Sequence, residues 1–324
     1  MGEKVEISIV IPVFNGVNFI NDAYNNILNQ NLKSFEIIFV DNNSVDNSVE
    51  IIQKLIAVDT RVKYYTEKKQ GAASARNMGI KKSLGEFIYF FDVDDFVLNG
   101  ALNKMILTLK EIPTASSVFG MISQNKISNY NYEQSEIMVK SAPYWGEKWF
   151  ESFASLSGTP SFLHKKETVL SNNGFPEQLL LGEDAAFHIK LGLEKKLIFL
   201  KAPVYFYNRH NSSTTLQEKR RISLSEKYYI QYCKYYLPKV LNNEKPFDII
   251  KVDVFKNTLG SLGRVLVEKK TMKERYDKYE YLKKKLGCFS IPILIKINYF
   301  FIIVFGSKLL HKIILARLLK LIYY

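Results

Sequence analysis

The chain has 324 residues, 47% hydrophobic and 24% charged, which excludes a disordered protein and predicts a substantial buried core. Its two cysteines, Cys233 and Cys288, exclude a disulfide framework and fit no metal knuckle, so we expect a reducing compartment such as the cytosol. The first residues show no basic segment leading into an apolar one, so we expect no secretory signal.

The net charge of +13 is unevenly distributed along the chain. From Leu216 onward there are 23 basic and 9 acidic residues, whereas the first 215 residues hold 22 and 23. This difference predicts two domains, 1–215 and 216–324. The basic domain is expected to face an anionic surface, and its apolar helical pattern favours lipid over nucleic acid.

Apolar runs typical of buried strands alternate with segments of helical period through the first hundred residues. This alternation predicts an α/β fold with a doubly wound, mostly parallel sheet and helices on both faces. The predicted strands are 6–14, 35–40, 62–65 and 87–91, and the predicted helices are about 19–30, 47–58, one opening at Gly71, and about 101–111.

The pattern loosens after residue 111 and becomes helical again near the end. Short strands are expected at 117–122, 161–164, 197–200 and 204–207, with a helix from Glu183 to about Lys195. From Leu216 onward we predict a helical extension with helices at about 216–236, 247–269 and 272–286.

Three carboxylates, Asp92, Asp94 and Asp95, directly follow the apolar strand that ends at Phe91. Open α/β sheets bind ligands at the carboxyl ends of their strands. Because like charges this close repel, a cation is needed to gather them. Oxygen ligands in a D-x-D spacing suit Mg²⁺ or Mn²⁺, which in turn bind phosphate oxygens. An acidic loop that only caps the following helix remains the alternative.

Other polar positions have both a functional and a structural interpretation. The segment Asp41–Ser44 after the second strand suits a base or ribose, but it also suits a helix-capping turn. The small residues from Gly71 to Asn77 would let backbone N–H groups approach phosphate, with Arg76 adding charge. Glu183 and Asp184 are typical of a capped helix start, although the preceding leucines can raise a carboxylate pKa toward the general-base range.

Two further positions are weaker on their own. A lone histidine such as His210 is more often structural than a ligand, yet after a strand end it suits a metal–diphosphate site. Trp145 and Trp149 suit stacking on a sugar, but aromatics four residues apart more often pack in a core.

The end of the chain predicts a membrane-interface segment. Phe289–Phe305 carries only Lys296 as a charge and contains Pro292, and its 17 residues are at the short limit for a spanning helix. Lys308–Tyr324 has the pattern of a basic amphipathic helix lying in a membrane surface. A core or oligomerisation helix is the alternative.

The order of the motifs resembles that of family 2 glycosyltransferases with the GT-A fold, over about residues 6–213. The residues that carry the resemblance are Pro12 and Asn15; Val40, Asp41 and Ser44; Gly71, Ala75, Arg76, Asn77 and Gly79; Phe91, Asp92, Asp94 and Asp95; Gly158 and Pro160; Gly174, Phe175 and Glu177; Gly182, Glu183, Asp184 and Phe187.

The resemblance implies transfer of a sugar from a nucleotide-sugar donor, usually a UDP-sugar, with inversion in a single displacement. It implies that Asp184 deprotonates the acceptor hydroxyl with support from Glu183, and that the metal is held by Asp94, Asp95 and His210. The implied donor site comprises Pro12, Asn15, Asp41 on the base, Ser44, Arg76 on the diphosphate, Asn77, Asp92 and Asp94. The implied acceptor site comprises Trp145, Gly158 and Pro160.

The processive members of this family carry a Q-x-x-R-W motif, which is missing here, so we expect addition of a single sugar. The expected acceptor is a glycan or polyprenyl-linked glycan of a bacterial surface polysaccharide, reached from the cytoplasmic face of an anionic membrane, with no nucleic-acid partner. The alternatives are a nucleotidyltransferase, or a membrane-anchored sugar- or nucleotide-binding protein that has lost catalysis. The former typically has a Gly-rich basic loop after its first strand, which Asn15–Asn18 does not provide.

Overall fold

The computed structural model describes residues 4–123, 125–127, 129–152, 156, 158–179, 181–208, 223–286 and 293–306. His210, proposed as a metal ligand, and Lys308–Tyr324, proposed as a membrane helix, lie outside the described residues. The chain divides into two compact units, residues 1–209 and 210–324.

The first unit contains a nine-stranded sheet in the order β3-β2-β1-β4-β8-β6-β9-β5, with β7 paired to β9. The strands are β1 Ile7–Val13, β2 Phe35–Asp41, β3 Val62–Thr66, β4 Phe87–Phe90, β5 Phe96–Val97, β6 Ser117–Ser123, β7 Ile137–Lys140, β8 Phe162–Lys165 and β9 Leu197–Phe206. Strands β3, β2, β1 and β4 are mutually parallel, and β8 then pairs antiparallel with both β4 and β6.

The register of the parallel strands brings the predicted motifs to one edge of the sheet. Val13 at the end of β1 lies opposite Asp41 at the end of β2, and Val10 lies opposite Phe90 at the end of β4. The loops that follow these three strands therefore emerge side by side. This is the edge at which open α/β sheets bind their ligands.

Seven helices of the first unit lie among the described residues and cover both faces of the sheet. They are α1 Ile20–Leu28, α2 Ser48–Val58, α3 Ala72–Lys82, α4 Ala101–Glu111, α5 Tyr144–Glu151, α6 Lys166–Ser171 and α7 Glu183–Glu194. Alternate residues of β1 separate two cores, as expected for the two-residue period of a strand. Ile9 and Ile11 pack in the core that includes α1, α2 and α4, whereas Val10 packs in the core that includes α3 and α7. The predicted doubly wound α/β fold is confirmed.

The second half of the sheet differs from the sequence prediction. The prediction of two strands between residues 197 and 207 is wrong, because Leu197–Phe206 forms one strand. Its pairing with β6 shifts register around Met121 and Pro203. A proline is tolerated at such an irregularity because its missing N–H costs no regular ladder bond. Strands β5 and β7 were not predicted, since two to four residues are too few to show alternation.

The described part of the second unit is helical. Its helices are α8 Leu224–Gln231, α9 Leu237–Leu241, α10 Lys251–Val267, α11 Met272–Leu286 and α12 Ile293–Phe305, with a π-helical turn at Tyr232–Tyr236 and a 3₁₀ turn at Phe247–Ile250. The buried Arg275 guanidinium donates hydrogen bonds to the carbonyls of Lys269, Lys270 and Ile303. None of the helices within the described ranges has the length and apolar character needed to cross a membrane.

Candidate active site

The loops after β1 and β2 are joined into one wall of the candidate site. The Asn15 N–H donates to the Ser44 hydroxyl at 2.9 Å, and the Val45 N–H donates to Asn15 Oδ1 at 2.8 Å. Asn15 has φ +52°, a left-handed conformation that asparagine tolerates better than most residues. Asp41 is only 3% exposed and accepts the Ser44 N–H. The structure thus brings together Asn15, Asp41 and Ser44, with Pro12 one register position from the end of β1.

Asn42 connects this wall to the start of α3. Its Nδ2 donates to the carbonyls of Glu67 and Lys69, each at 2.8 Å, and its Oδ1 accepts the Gly71 N–H at 2.7 Å. Asn42 has no predicted role of its own. All three of these side-chain hydrogen bonds are with backbone groups, so the structural role of Asn42 is to hold the loops after β2 and β3 together.

Arg76 on α3 is the central cation of the site. Its side chain is 6% exposed and lies between two carboxylates, Asp92 at 2.8 Å and Glu183 at 3.1 Å. The guanidinium also lies over the Phe175 ring, 5.3 Å from its centroid. Both terminal nitrogens are therefore engaged with protein groups. This arrangement supports a role in holding carboxylates, whereas the predicted contact with a diphosphate stays a prediction.

The carboxylates outnumber the cations around Arg76. Burial raises the pKa of Asp92, and Asp94 raises it further while Arg76 lowers it. Burial, together with Asp92 and Asp94, raises the pKa of Asp95 to about 9. Burial and the neighbouring Asp184 raise the pKa of Glu183 to about 7, against the effect of Arg76. The protein therefore supplies too little positive charge around Arg76 to keep all of these carboxylates ionised.

A divalent cation would supply the positive charge that these carboxylates lack. No group of three or more His, Cys, Asp or Glu side chains forms a metal cage among the residues the structure describes. Asp94 and Asp95 nevertheless place two carboxylates on one loop, and Asp95 accepts a hydrogen bond from the Asn208 N–H at 3.1 Å. Such a pair suits Mg²⁺ or Mn²⁺, which take their remaining ligands from water and substrate phosphates.

Asp184 lies in the first turn of α7, after Gly182 in the left-handed region at φ +80°. Its Oδ1 accepts the Ala185 N–H at 2.7 Å, and its carbonyl accepts a hydrogen bond from His188 Nδ1 at 2.8 Å. The neighbouring Glu183 turns toward Arg76 instead. The two adjacent carboxylates thus have different partners, which is consistent with two different roles.

Asn77 and Glu177 connect α3 to the loop that leads into α7. The Asn77 amide donates to the Phe175 carbonyl at 2.9 Å and to Glu177 at 2.8 Å, and it accepts the Phe175 N–H at 2.8 Å. Lys69 pairs with the second Glu177 oxygen at 2.6 Å. With its amide occupied in this way, Asn77 is placed to position the loop, and the predicted donor contact remains untested.

The predicted acceptor residues lie in different environments. Trp145 is 5% exposed and packs edge-on against Phe119 at 4.9 Å, so the structure favours its core interpretation over sugar stacking. Trp149 is likewise buried, at 1% exposed. Gly158 and Pro160 lie beside the sheet, where the Tyr89 hydroxyl donates to the Pro160 carbonyl at 2.5 Å. A Cβ at Gly158 would lie 2.2 Å from the Tyr205 hydroxyl, which explains the need for glycine.

The family model for Glycosyl transferase family 2 matches residues 8–165. Glycosyltransferase GlyG of Streptococcus pneumoniae is 30% identical over 229 residues, which cover 64% of this chain and 72% of that protein. The GalNAc(5)-diNAcBac-PP-undecaprenol beta-1,3-glucosyltransferase of Campylobacter jejuni is 29% identical over 296 residues, 90% of each chain. The chain spans only 26% to 40% of the length of three other curated relatives.

Solved structures show the same fold. S. aureus TarS in complex with UDP-GlcNAc superposes with a TM-score of 0.58 at 17% identity, over 80% of this chain and 72% of that one. Mannosyltransferase PcManGT from Pyrobaculum calidifontis, in complex with GDP-Man and Mn²⁺, gives a TM-score of 0.51 at 13% identity, over 97% and 87%. The chain belongs to glycosyltransferase family 2 and has the GT-A fold, as its sequence predicted.

Proposed function

We propose that this protein transfers one sugar, with inversion, from a UDP-sugar to a hydroxyl of a glycan acceptor. The observation that carries the proposal is the set of carboxylates around Arg76, with Asp92 and Glu183 on the guanidinium and Asp184 adjacent. These carboxylates lie at the same edge of the sheet as Asp41 and the loops that follow β1 and β2. The end with Asp41 suits binding of the nucleotide, and the end with Asp184 suits deprotonation of an acceptor hydroxyl.

The donor end is formed by Pro12, Asn15, Asp41 and Ser44. Asp41 presents a buried carboxylate oxygen, which suits the N–H of a uracil base. The UDP-GlcNAc in the complex of S. aureus TarS supports this choice of donor, as does the UDP in a second complex of the same protein. A divalent ion held by Asp94 and Asp95 would neutralise charge on the departing diphosphate. The Mn²⁺ in the PcManGT complex is consistent with this requirement.

In the proposed reaction the acceptor oxygen bonds to the anomeric carbon while the bond between that carbon and the diphosphate oxygen breaks. The hydroxyl proton passes to a carboxylate oxygen of Asp184. Glu183 does not take this proton, because it is engaged with Arg76 at 3.1 Å. A positioned base of this kind is worth roughly a hundredfold or more in rate, since a sugar hydroxyl is a weak nucleophile.

The acceptor we propose is a lipid-linked glycan at the cytoplasmic face of an anionic membrane. The Campylobacter jejuni relative acts on an undecaprenol-linked glycan and matches 90% of this chain, which supports this class of acceptor. The basic second unit and the exposed Ile297, Phe300 and Phe305 on α12 supply charge and apolar surface suited to such a membrane.

The test is release of UDP from a panel of UDP-sugars, with Mg²⁺, with Mn²⁺ and with a chelator. We expect metal-dependent hydrolysis of at least one donor and faster release when a glycan acceptor is added. Asp94→Ala should abolish both, while Asp248→Asn, an exposed carboxylate on the second unit, serves as the matched control. Near-normal turnover of Asp94→Ala, or equal release in chelator, would contradict the proposal.

A further inference from the structure

A cavity of about 260 Å³ opens beside the Asp94–Phe96 loop and runs along α1. The core residues show that α1 lies on the face of the sheet opposite α7, which carries Glu183 and Asp184. The cavity meets the candidate active site at Asp94, Asp95 and Asn208. Its volume is below that of a typical drug-sized pocket and suits one ring-sized ligand.

The side chains that α1 contributes to the cavity are polar, and most of them make no hydrogen bond that holds the described part of the fold together. Asp22, Asn25 and Asn29 line the cavity and are exposed on one helix face. Across the described ranges, their side chains form no hydrogen bond or ion pair with the protein. Asn26 is the contrast, because it is buried and its amide exchanges two hydrogen bonds with the backbone of Val97. All three asparagines line the cavity, but within the described residues only Asn25 and Asn29 keep their side-chain amides free of hydrogen bonds with the protein.

Aromatic rings form another part of the lining. Phe19, Phe96 and Phe206 contribute them, and Lys126 lies over the Phe96 ring with its Nζ 5.0 Å from the centroid. Aromatic faces pack against the C–H face of a sugar ring, and asparagine and aspartate hydrogen-bond its hydroxyls. Apart from Asp94 and Asp95, which belong to the proposed metal site, the lining carries one acidic residue, Asp22, and one basic residue, Lys126. A lining with balanced charge favours a neutral, polyhydroxylated ligand over phosphate.

We infer that this cavity is a subsite for one sugar unit of the acceptor glycan, remote from the reacting hydroxyl. The inference rests on the proposed function, since it places a second sugar of the same acceptor next to the Asp94 loop. Asn25 and Asn29 donate to and accept from the sugar hydroxyls, and Phe19 or Phe96 covers its apolar face. The subsite selects acceptors of more than one sugar.

The first test is direct binding to the full chain by saturation-transfer NMR. The probes are methyl β-glucoside, methyl β-galactoside and methyl N-acetyl-β-glucosaminide, each without donor or metal. At least one should bind to the wild type, and its signal should fall at least fivefold in Asn25→Ala/Asn29→Ala. Asn21→Ala, an exposed asparagine of the same helix that does not line the cavity, should bind as the wild type does. Equal signals in all three proteins would overturn the subsite.

The second test uses an acceptor of two or more sugars. In Asn25→Ala/Asn29→Ala we expect KM for that acceptor to rise about tenfold while kcat changes less than twofold, because the lost contacts are remote from the reacting atoms. An unchanged KM would overturn the subsite and leave the proposed function standing. If the wild type releases no UDP from any donor, the proposed function fails, and the NMR result still decides whether the cavity binds sugar. Matching thermal melts of the three proteins confirm that the variants are folded.

Discussion

Arg76 reaches Glu183 across the candidate active site, with Nη1 3.1 Å from a Glu183 oxygen, although the two residues are 107 positions apart in the chain. The same guanidinium holds Asp92, so α3, the end of β4 and the start of α7 meet at one buried cation. Its own pKa is raised further above its usual range by Asp92 and Glu183, against the opposing effect of burial, so it stays charged at every relevant pH. We conclude that Arg76 fixes the positions of the Asp92 and Glu183 carboxylates.

Arg76→Met is expected to lower stability by about 3 kcal/mol at pH 8, because it leaves the partly buried Asp92 and Glu183 carboxylates without their cation. The loss should shrink at pH 5, where Asp92 and Glu183, whose pKa values are raised even beside Arg76, take up protons. Urea unfolding at both pH values measures this. Lys54→Met is the control, since Lys54 pairs with Glu50 at side-chain exposures of 72% and 61%. A much smaller loss is expected there, and equal losses for the two variants would contradict the assignment.

Asp184→Asn keeps the size of the side chain and its hydrogen bond to the Ala185 N–H but removes the ability to accept a proton. We expect kcat for transfer to fall by roughly a hundredfold or more, with donor affinity nearly unchanged. Steady-state kinetics with titration of UDP-sugar binding separates the two quantities. If donor affinity collapses while turnover of bound donor persists, Asp184 is a binding residue and another group is the base.

Asn77→Ala tests the connection between α3 and the loop before α7. The variant leaves the Phe175 N–H and carbonyl and one Glu177 oxygen without their partner. We expect kcat to fall by at least tenfold, because Glu183 and Asp184 lose their fixed position, with little change in KM for the donor. Asn77→Asp keeps the oxygen that accepts the Phe175 N–H but repels Glu177, so it should not restore activity. A large rise in donor KM at unchanged kcat would favour the predicted donor contact instead.

The sequence contained the elements of this site but not their contacts. Asp41 and Asp92 were predictable because each directly follows a continuous apolar strand, and parallel strands end at one edge. The pairing of Arg76 with Glu183 was not, because no local spacing relates residues on different helices. The environment of Trp145 could not be predicted, because aromatic residues four positions apart have the same spacing whether they line a binding site or pack in a core. Strand β5 has only two residues, too few to show the alternation of apolar and polar residues that predicts a strand.

His164 and His188 make stability depend on pH in the acid range. Both are fully buried, and burial lowers their pKa, that of His188 to about 3 and that of His164 well below its usual value. An unfolded histidine takes up a proton below about pH 6.5. Stability is therefore complete above that pH and is lost as pH falls toward 3, by about 2 kcal/mol per histidine at pH 5.

His188→Gln retains a donor for the Asp184 carbonyl and removes the titrating ring. The free energy of unfolding of the wild type minus that of the variant should therefore fall by about 2 kcal/mol between pH 7.5 and pH 5. Taking this difference cancels the titration of Asp92, Asp95 and Glu183, which both proteins share. Urea unfolding at the two pH values provides the measurement, and a difference that does not change with pH would show that His188 takes up its proton at the same pH in the folded and unfolded protein.

Deletion of Lys308–Tyr324 tests the proposed membrane surface. This segment carries four Lys and Arg residues among leucines and isoleucines. Each such charge is worth about 1 kcal/mol near an anionic leaflet, and salt screens the attraction. We expect the full chain to float with anionic liposomes at low salt and less well as salt rises. The truncated chain should stay with the unbound protein at the bottom of the gradient. Transfer to a lipid-linked acceptor should fall in the truncated chain, while transfer to a short soluble acceptor should survive. Flotation that is equal with and without the segment would favour its alternative interpretation as an oligomerisation or core helix.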